Sequence, residues 1–134
     1  MNTTYFMNLI QGNVFRTQTT PAIPTKYWLA VSSTLPTLGG TNVTEPSTSG
    51  TGYGRLELTS LSVPTNGVVS NTGVLSYAES LTSWGVYPYY AVYDSQTGGN
   101  LLMFGALDAS RTIEVSTVLM IKAGEITLTL ANAA

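Results

Sequence analysis

Alternating hydrophobic and polar residues dominate the chain from residue 26 onward and predict a series of short β-strands. Turn-forming residues separate these segments at short intervals, and Asn66-Gly67 has the composition of a tight hairpin turn. This spacing predicts an all-β fold, either an antiparallel β-sandwich or a jelly-roll-like barrel. The predicted strands cover residues 26–32, 53–60, 68–70, 73–78, 88–94, 101–105, 112–122 and 126–130. The inward face of the seventh is expected to carry Ile113, Val115, Leu119 and Ile121.

Residues 3–15 have a different pattern and predict one short amphipathic helix. Phe6, Ile10 and Val14 recur every four residues, and Thr3 and Thr4 are both suitable N-caps. Pro21 and Pro24 then favour extended chain. We therefore expect an N-terminal helix or arm over residues 1–20 and a single β-sandwich domain over residues 21–134.

Residues 33–51 form a long stretch of Thr, Ser, Pro and Gly without periodicity. It is longer than most loops in compact domains, and such loops are usually functional. We interpret it, together with the helix, as an arm that reaches neighbouring proteins.

The composition of this 134-residue chain indicates which classes of partner it can bind. Charged residues make up only 9% of it, against about 25% in an average soluble domain, and the net charge is −2. A surface rich in hydroxyls and amides suits a protein that sits against other proteins, although a secreted β-domain would also have one.

The five Lys and Arg residues are scattered, which argues against nucleic acid as a partner. No apolar run approaches the length of a membrane span, so we expect no membrane association. The first ten residues do not have the pattern of a signal peptide, so we expect synthesis in a cytoplasm.

The chain contains few of the residue types that catalysis usually requires. The chain has no His and no Cys, which removes the usual catalytic triads, thiol chemistry and His- or Cys-based metal sites. The seven carboxylates show no spacing that indicates a glycosidase pair. A calcium site at Asp94 and Gln96 is a weaker interpretation than a turn stabilised by the Asp side chain. We predict a protein that is not an enzyme and uses no cofactor or metal.

Aromatic residues are concentrated in one segment, which contains Trp84, Tyr87, Tyr89, Tyr90 and Tyr93. Exposed rings there would suit sugar binding, whereas strand alternation favours a mixture of core and interface positions. Trp84 is expected in the core or at a subunit seam. The candidate assembly residues are Tyr5, Phe6, Leu9, Ile10, Trp84, Tyr87 and Tyr89.

A predicted turn joins the strands that flank residues 94–100. Gly98 and Gly99 permit the positive φ that a tight hairpin requires, and Asp94 is expected to accept backbone N–H groups, with Asn100 completing the turn. Arg55 is expected to pair with either Asp94 or Glu57.

Several motifs together resemble a family of small tailed-bacteriophage structural proteins of the head-decoration or tail-fibre type. The matching segments are Trp84-Gly85-Val86, the run from Tyr93-Asp94 through Gly98-Gly99-Asn100 to Leu101-Leu102, Phe104-Gly105-Ala106-Leu107, Tyr53-Gly54-Arg55, Tyr27-Trp28-Leu29-Ala30-Val31 and Ala123-Gly124-Glu125-Ile126. The resemblance implies a virion structural protein without catalytic residues.

The main functional hypothesis is a capsid decoration or cement protein on the outer shell of a phage. The alternative is a tail-fibre or baseplate component that contacts the host, and a further alternative is a carbohydrate-binding module that uses the tyrosines near residues 87–93. The implied partners are the major capsid or tail proteins and further copies of this chain in a homo-oligomer.

Overall fold

The computed structural model describes residues 1–130, and antiparallel strands make up most of its regular structure. This confirms the all-β class with a single short N-terminal helix, and the packing is sandwich-like. Among the described residues the sheets do not close into a barrel. The elements are α1 (Thr4–Phe15), β1 (Trp28–Ser32), β2 (Leu56–Glu57), β3 (Val68–Ser70), β4 (Leu75–Ser76), β5 (Gly85–Tyr93), β6 (Leu101–Ile113), β7 (Met120–Ile121) and β8 (Thr127–Thr129).

The central sheet has the strand order β2-β1-β5-β6, with every neighbouring pair antiparallel. In β1, Leu29 pairs with Val92 and Val31 pairs with Tyr90, so four large apolar side chains point to the same face. Two short ribbons, β3-β8 and β4-β7, supply further residues to the core on this face, including Leu75, Ile121 and Leu128. The main core therefore lies between the central sheet and the two ribbons.

The second face of the sheet is covered as well. Ala30, Ala91 and Phe104 form a smaller buried cluster there, against which Val43 of the 33–51 loop packs. The backbone of the loop is tied to the end of β1, where the Ser33 N–H donates to the Thr44 carbonyl at 3.0 Å. The loop thus lies along its own domain and places Val43 over the second face of the sheet.

The N-terminus also joins the sheet. The Thr3 N–H donates to the Leu102 carbonyl at 2.9 Å, and the Phe104 N–H donates to the Met1 carbonyl at 3.0 Å, so the first residues run along the edge of β6. Thr3 rather than Thr4 caps the helix, since its hydroxyl accepts the Phe6 N–H at 3.2 Å. Residues 1–15 are therefore fastened to the β-structure rather than projecting from it.

The buried face of the helix lies beside the predicted stripe, of which Phe6 and Ile10 are half-buried. Leu9 and Gly12 are its buried residues, whereas Val14 is 59% exposed, so the predicted stripe is wrong at Val14. Two residues correspond to about 200° of rotation, which places Val14 opposite Gly12. The amide end of the Gln18 side chain folds over Gly12 and would have to move if this position carried a Cβ atom.

Several strand boundaries differ from the predictions. Strand β4 covers only Leu75–Ser76 of the predicted 73–78, and β5 begins at Gly85 instead of residue 88. Three larger differences concern β6 and the segments 112–122 and 53–60. Strand β6 continues to Ile113 instead of ending at Gly105, because it pairs with β5 along the whole of that strand. The predicted strand at 112–122 is wrong as a continuous element, since a turn at Ser116, whose φ is 59°, leaves Val115 exposed. Ser80 holds that turn through its hydroxyl, which accepts the Thr117 N–H at 2.9 Å. The predicted strand at 53–60 is reduced to Leu56–Glu57.

The Asn66-Gly67 turn forms as predicted. Asn66 and Gly67 have φ values of 54° and 76°, and Thr65 and Val68 exchange backbone hydrogen bonds at 3.0 Å. Positive φ at both central positions is the requirement of this hairpin type.

Candidate binding and assembly sites

Arg55 joins three separate segments at one end of the central sheet. Its Nε donates to Glu45 Oε1 at 3.0 Å and its Nη2 donates to Oε2 at 2.8 Å, while Nη1 donates to the carbonyls of Ser95 and Gly98 at 2.9 and 2.7 Å. The guanidinium lies 3.6 Å from the centre of the Tyr93 ring, a cation–π contact. The Arg55 side chain is only 9% exposed. This residue therefore locks the 33–51 loop and the 94–100 turn to the strand β2 region.

Neither of the two partners expected for Arg55 is correct. Asp94 accepts hydrogen bonds from Asn100 instead, and Glu57 makes only a long contact of 3.9 Å with Lys26. Glu45 is the single carboxylate in residues 33–51, but nothing in the local pattern indicates that the loop folds back over the sheet. The contact spans ten residues of chain and depends on the tertiary fold.

Tyr53 extends this cluster into the core. Its hydroxyl donates to Glu45 Oε1 at 2.6 Å, and its ring stacks on Tyr77 at 6.0 Å and meets Trp84 edge-on at 5.3 Å. Burial, with smaller contributions from Tyr77 and from the Glu45 charge, raises the pKa of Tyr53 far above its usual range. Burial alone would lower the pKa of Arg55, but its hydrogen bonds to Glu45 and the Glu45 charge outweigh that effect and raise it. Tyr53 stays neutral and Arg55 stays charged at any ordinary pH.

A polar pocket of about 420 Å³ opens above this cluster. Arg55, Glu45 and Tyr53 line its inner part, whereas the exposed side chains of Thr48, Gln96 and Thr97 line its outer part. Pro46, Gly54 and Gly98 complete the wall.

The 94–100 turn forms one side of this pocket. Asp94 accepts the Asn100 backbone N–H at 2.8 Å and the Asn100 side-chain amide at 3.1 Å. Gly98 and Gly99 have φ values of 60° and 76°, and a Cβ atom on Gly99 would lie 2.5 Å from Asp94 Oδ1. The turn is therefore fixed in shape by its own residues.

An apolar groove of about 290 Å³ lies elsewhere on the molecule, where the helix, the central sheet and the β3-β8 ribbon meet. Its lining contains no charged residue. The lining residues are Phe6, Tyr27, Leu61, Pro64, Gly67, Val69, Val92, Leu102, Met103, Leu128 and Leu130. Of these, Leu61 and Leu130 are 37% and 49% exposed, so the groove presents hydrocarbon to solvent.

Residues 1–129 match the family described as Podophage GP4 fiber I protein gp80. The chain belongs to this phage fibre family. No curated protein matches the chain. Because the family match covers nearly the whole chain, the resemblance to phage virion structural proteins is confirmed. The family description names a fibre, so it favours the tail-fibre alternative over the capsid-decoration hypothesis.

The candidate assembly residues of this fibre-family protein lie mainly inside it. Leu9, Trp84 and Tyr87 are 2%, 8% and 5% exposed, whereas Tyr5, Phe6, Ile10 and Tyr89 are half-buried. The Trp84 indole N–H donates to the Thr51 carbonyl at 2.9 Å, which shows that Trp84 is a core residue. Phe6 alone among them lines the apolar groove, and none lines the polar pocket.

The tyrosines expected as a sugar platform are also covered. Tyr87, Tyr90 and Tyr93 are each less than 10% exposed, so their rings offer no face for stacking. The carbohydrate-binding alternative requires that one face of the strand meets solvent, which strand alternation by itself does not establish. Both faces of β5 are covered from Tyr90 to Tyr93, one by the main core and the other by the cluster on which Val43 packs, whereas Val86 near the start of the strand is 51% exposed.

Metal-binding acidic clusters and membrane-spanning helices are both absent from residues 1–130. No group of three or more Asp and Glu residues there is placed to hold a metal ion. No helix in the same range has the length and apolar character needed to span a membrane.

Proposed function

We propose that this protein is a non-enzymatic structural component of a phage tail fibre, where it is held by other virion proteins. The observation that carries this proposal is the family match over residues 1–129. The long loop and the N-terminal helix, first interpreted as arms, pack on the domain itself, so attachment is expected through the outer surface of a compact unit.

The carboxylates support a structural role. Glu45 is engaged by Arg55 and Tyr53, and the Glu125 side chain is fully buried in a salt bridge with Arg111, whose Nη2 lies 2.5 Å from Oε2. The Lys122 N–H also donates to Glu125 Oε1 at 3.3 Å. These two of the seven carboxylates are therefore committed to holding the fold.

The apolar groove is the surface that we propose for attachment within the fibre. Apolar area left in water costs about 25 cal/mol per Å², so covering the groove with an apolar side chain of a neighbouring fibre protein would stabilise the assembly. Leu61 and Leu130 at its margin are the accessible contacts. Homo-oligomer formation and synthesis in the host cytoplasm stay predictions; sedimentation equilibrium of the purified chain checks the first.

Fractionated virions test the proposed location. Purified phage particles are dissociated into heads and tails, and each fraction is probed with antibody against this chain. We expect the signal to follow the tail fraction, with the major capsid protein as the marker for heads. Signal that follows the capsid marker would overturn the fibre proposal in favour of decoration.

A further inference from the structure

The Asn66-Gly67 turn places two groups that can react with each other in an exposed position. It is the single Asn-Gly pair in the sequence, and both residues are exposed. Within residues 1–130, neither the Asn66 carboxamide nor the Gly67 N–H has a hydrogen-bond partner. The carboxamide carbon is an electrophile, and attack on it by the next backbone nitrogen closes a five-membered ring. Glycine has no Cβ atom to obstruct that nitrogen.

The reaction between these groups needs only water. The Gly67 nitrogen loses its proton and bonds to Asn66 Cγ, and the side-chain nitrogen leaves as ammonia. Water then opens the resulting succinimide ring at either of its two carbonyl carbons. Opening at the backbone carbon gives isoaspartate, whose main chain runs through Cβ and Cγ, and opening at Cγ gives ordinary aspartate. Water is consumed and ammonia is released, with no change in oxidation state.

Two other asparagines illustrate what protects a carboxamide from this reaction. Asn71 is 1% exposed, and its carboxamide makes three hydrogen bonds to backbone groups. Asn8 is exposed, but it is followed by Leu9 and both lie in α1, where helical hydrogen bonds fix the backbone. Asn66 has neither protection.

The turn has no room for the longer main chain of isoaspartate. Thr65 and Val68 exchange backbone hydrogen bonds at 3.0 Å across a connection of only two residues. The Gly67 carbonyl accepts the Leu130 N–H at 2.8 Å, and a Cβ atom on Gly67 would lie 2.5 Å from the Leu130 carbonyl oxygen. An additional backbone atom between Asn66 and Gly67 must therefore displace Gly67 relative to Leu130.

This displacement reaches the apolar groove, because Gly67 and Leu130 both line it. We propose that Asn66 is a site of spontaneous deamidation, and that its isoaspartate form separates the turn from Leu130 at the margin of the groove. The modification also places a carboxylate beside a lining that contains no charged residue.

The consequence for assembly, a lower incorporation of aged chain into particles, rests on the proposed function. The chemistry and the loss of the Leu130 contact are tested on the isolated chain, so they can fail while the fibre location holds. The fractionation of virions described above tests that location without reference to Asn66.

The first experiment follows the chemistry at each asparagine. The purified chain is incubated in mildly alkaline buffer, and samples are digested and analysed by mass spectrometry with electron-based fragmentation, which distinguishes isoaspartate from aspartate. We expect the amide-to-acid mass change at Asn66 first, with isoaspartate among the products, while Asn8 and Asn71 stay intact. Deamidation of Asn8 or Asn71 before Asn66, or aspartate as the sole product at Asn66, would overturn the proposal.

The second experiment measures the structural effect on the isoaspartate form, which its added charge allows ion exchange to separate from the unmodified chain. We expect the Leu130 amide hydrogen to exchange about tenfold faster than in the unmodified chain, since its bond to Gly67 is lost. We also expect the Tm to fall by about 3 °C, as for the loss of one hydrogen bond.

Two variants separate the lengthened main chain from the added charge. Asn66→Asp carries the same charge on an ordinary backbone and should keep the Leu130 exchange rate of the wild type. Asn66→Gly accepts positive φ but cannot deamidate, so incubation should leave its Leu130 exchange unchanged. Unchanged Leu130 exchange in the isoaspartate form, or equal acceleration in Asn66→Asp, would contradict the proposed separation of the turn from Leu130.

Discussion

The polar pocket and the apolar groove are of similar size but are built in opposite ways. The pocket of about 420 Å³ is lined by a salt bridge, hydroxyls and turn backbone, whereas the groove of about 290 Å³ has a lining without any charged side chain. In the pocket the inner residues hold three chain segments together through directional bonds. The groove residues instead belong to elements that are already packed in the core, such as Val92 and Leu102.

This difference predicts different responses to mutation. Removing one member of a bonded polar cluster leaves its partners buried and unpaired, which is costly. Changing a residue at the margin of an apolar groove removes only part of a surface that is already open to water. We therefore expect the pocket to dominate measurements of stability and the groove to dominate measurements of assembly.

Arg55→Met is expected to give the largest effect. It would leave Glu45 without its cation and the carbonyls of Ser95 and Gly98 without a donor, so we expect a loss of about 3 kcal/mol in the free energy of unfolding. Urea denaturation of the purified chain measures this. The matched control is Lys26→Met, because Lys26 is 66% exposed and its contact with Glu57 is long. A surface pair of this kind contributes little, and equal losses in the two variants would contradict the structural role of Arg55.

Alkaline pH is expected to weaken the same cluster. The folded state raises the pKa of Tyr53 well above its ordinary value of 10.0, so above pH 10 the unfolded chain releases this proton while the folded chain keeps it. Stability from Tyr53 is thus fully present below pH 10 and falls as pH rises, by up to about 1.4 kcal/mol for each pH unit.

Comparison of the wild type with Tyr53→Phe isolates this contribution. Phe retains the ring contacts with Tyr77 and Trp84 but has no proton to release, so its unfolding free energy should fall less steeply between pH 10 and higher values. Denaturant melts across this pH range provide the measurement. Parallel pH profiles for the two proteins would show that Tyr53 does not titrate differently on folding.

Asp94→Ala tests the turn that forms one wall of the pocket. The substitution removes acceptors for the Asn100 backbone N–H and side-chain amide, and we expect a loss of about 1.5 kcal/mol. Asp108→Ala, an exposed carboxylate on β6, is the control and should change stability much less. Thermal melts of both variants decide the point; a neutral effect at Asp94 would mean that Gly98 and Gly99 alone set the turn.

Leu130→Asp is expected to have the smallest effect on stability, about 1 kcal/mol, because the side chain is already 49% exposed. Its effect on assembly should be much larger, since it places a charge at the margin of the apolar groove. When the wild-type chain is replaced by the variant during phage production, we expect the variant to be absent from purified particles.

Leu81→Asp is the control for this experiment. Leu81 is 64% exposed and lies outside the groove, so the substitution adds the same charge without altering the proposed attachment surface. Particles that contain normal amounts of Leu130→Asp chain would contradict the role of the groove, and equal loss of both variants would point to solubility instead.

Local patterns predicted much of the fold. The alternation in β1 places Leu29 and Val31 in the main core and Ala30 in the second cluster, as the structure shows. The Asn66-Gly67 turn could be predicted because its requirement for positive φ is local. The end of β6 could not, since residues 111–113 pair with β5 only beyond an irregularity opposite Tyr87 and Tyr89, and no local pattern marks that continuation.

The candidate sites were harder to predict because they depend on long-range contacts. Glu45 reaches Arg55 only after the 33–51 loop folds over the sheet, and no local signal indicates that path. Tyr87 and Tyr89 are candidate assembly residues in the sequence because alternation describes a strand and not what covers it, and Tyr87 is buried. The apolar groove combines Phe6 near one end of the sequence with Leu130 near the other, a juxtaposition that only the fold creates.

Immunogold electron microscopy of intact particles tests the central claim most directly, namely that this chain is part of the tail fibre. Antibody against the chain is applied to purified phage, and gold positions are scored on head, tail and fibres. The account predicts gold confined to the tail fibres. Gold distributed over the head would contradict it and restore the decoration hypothesis, and particles without gold would contradict any place for the chain on the outside of the virion.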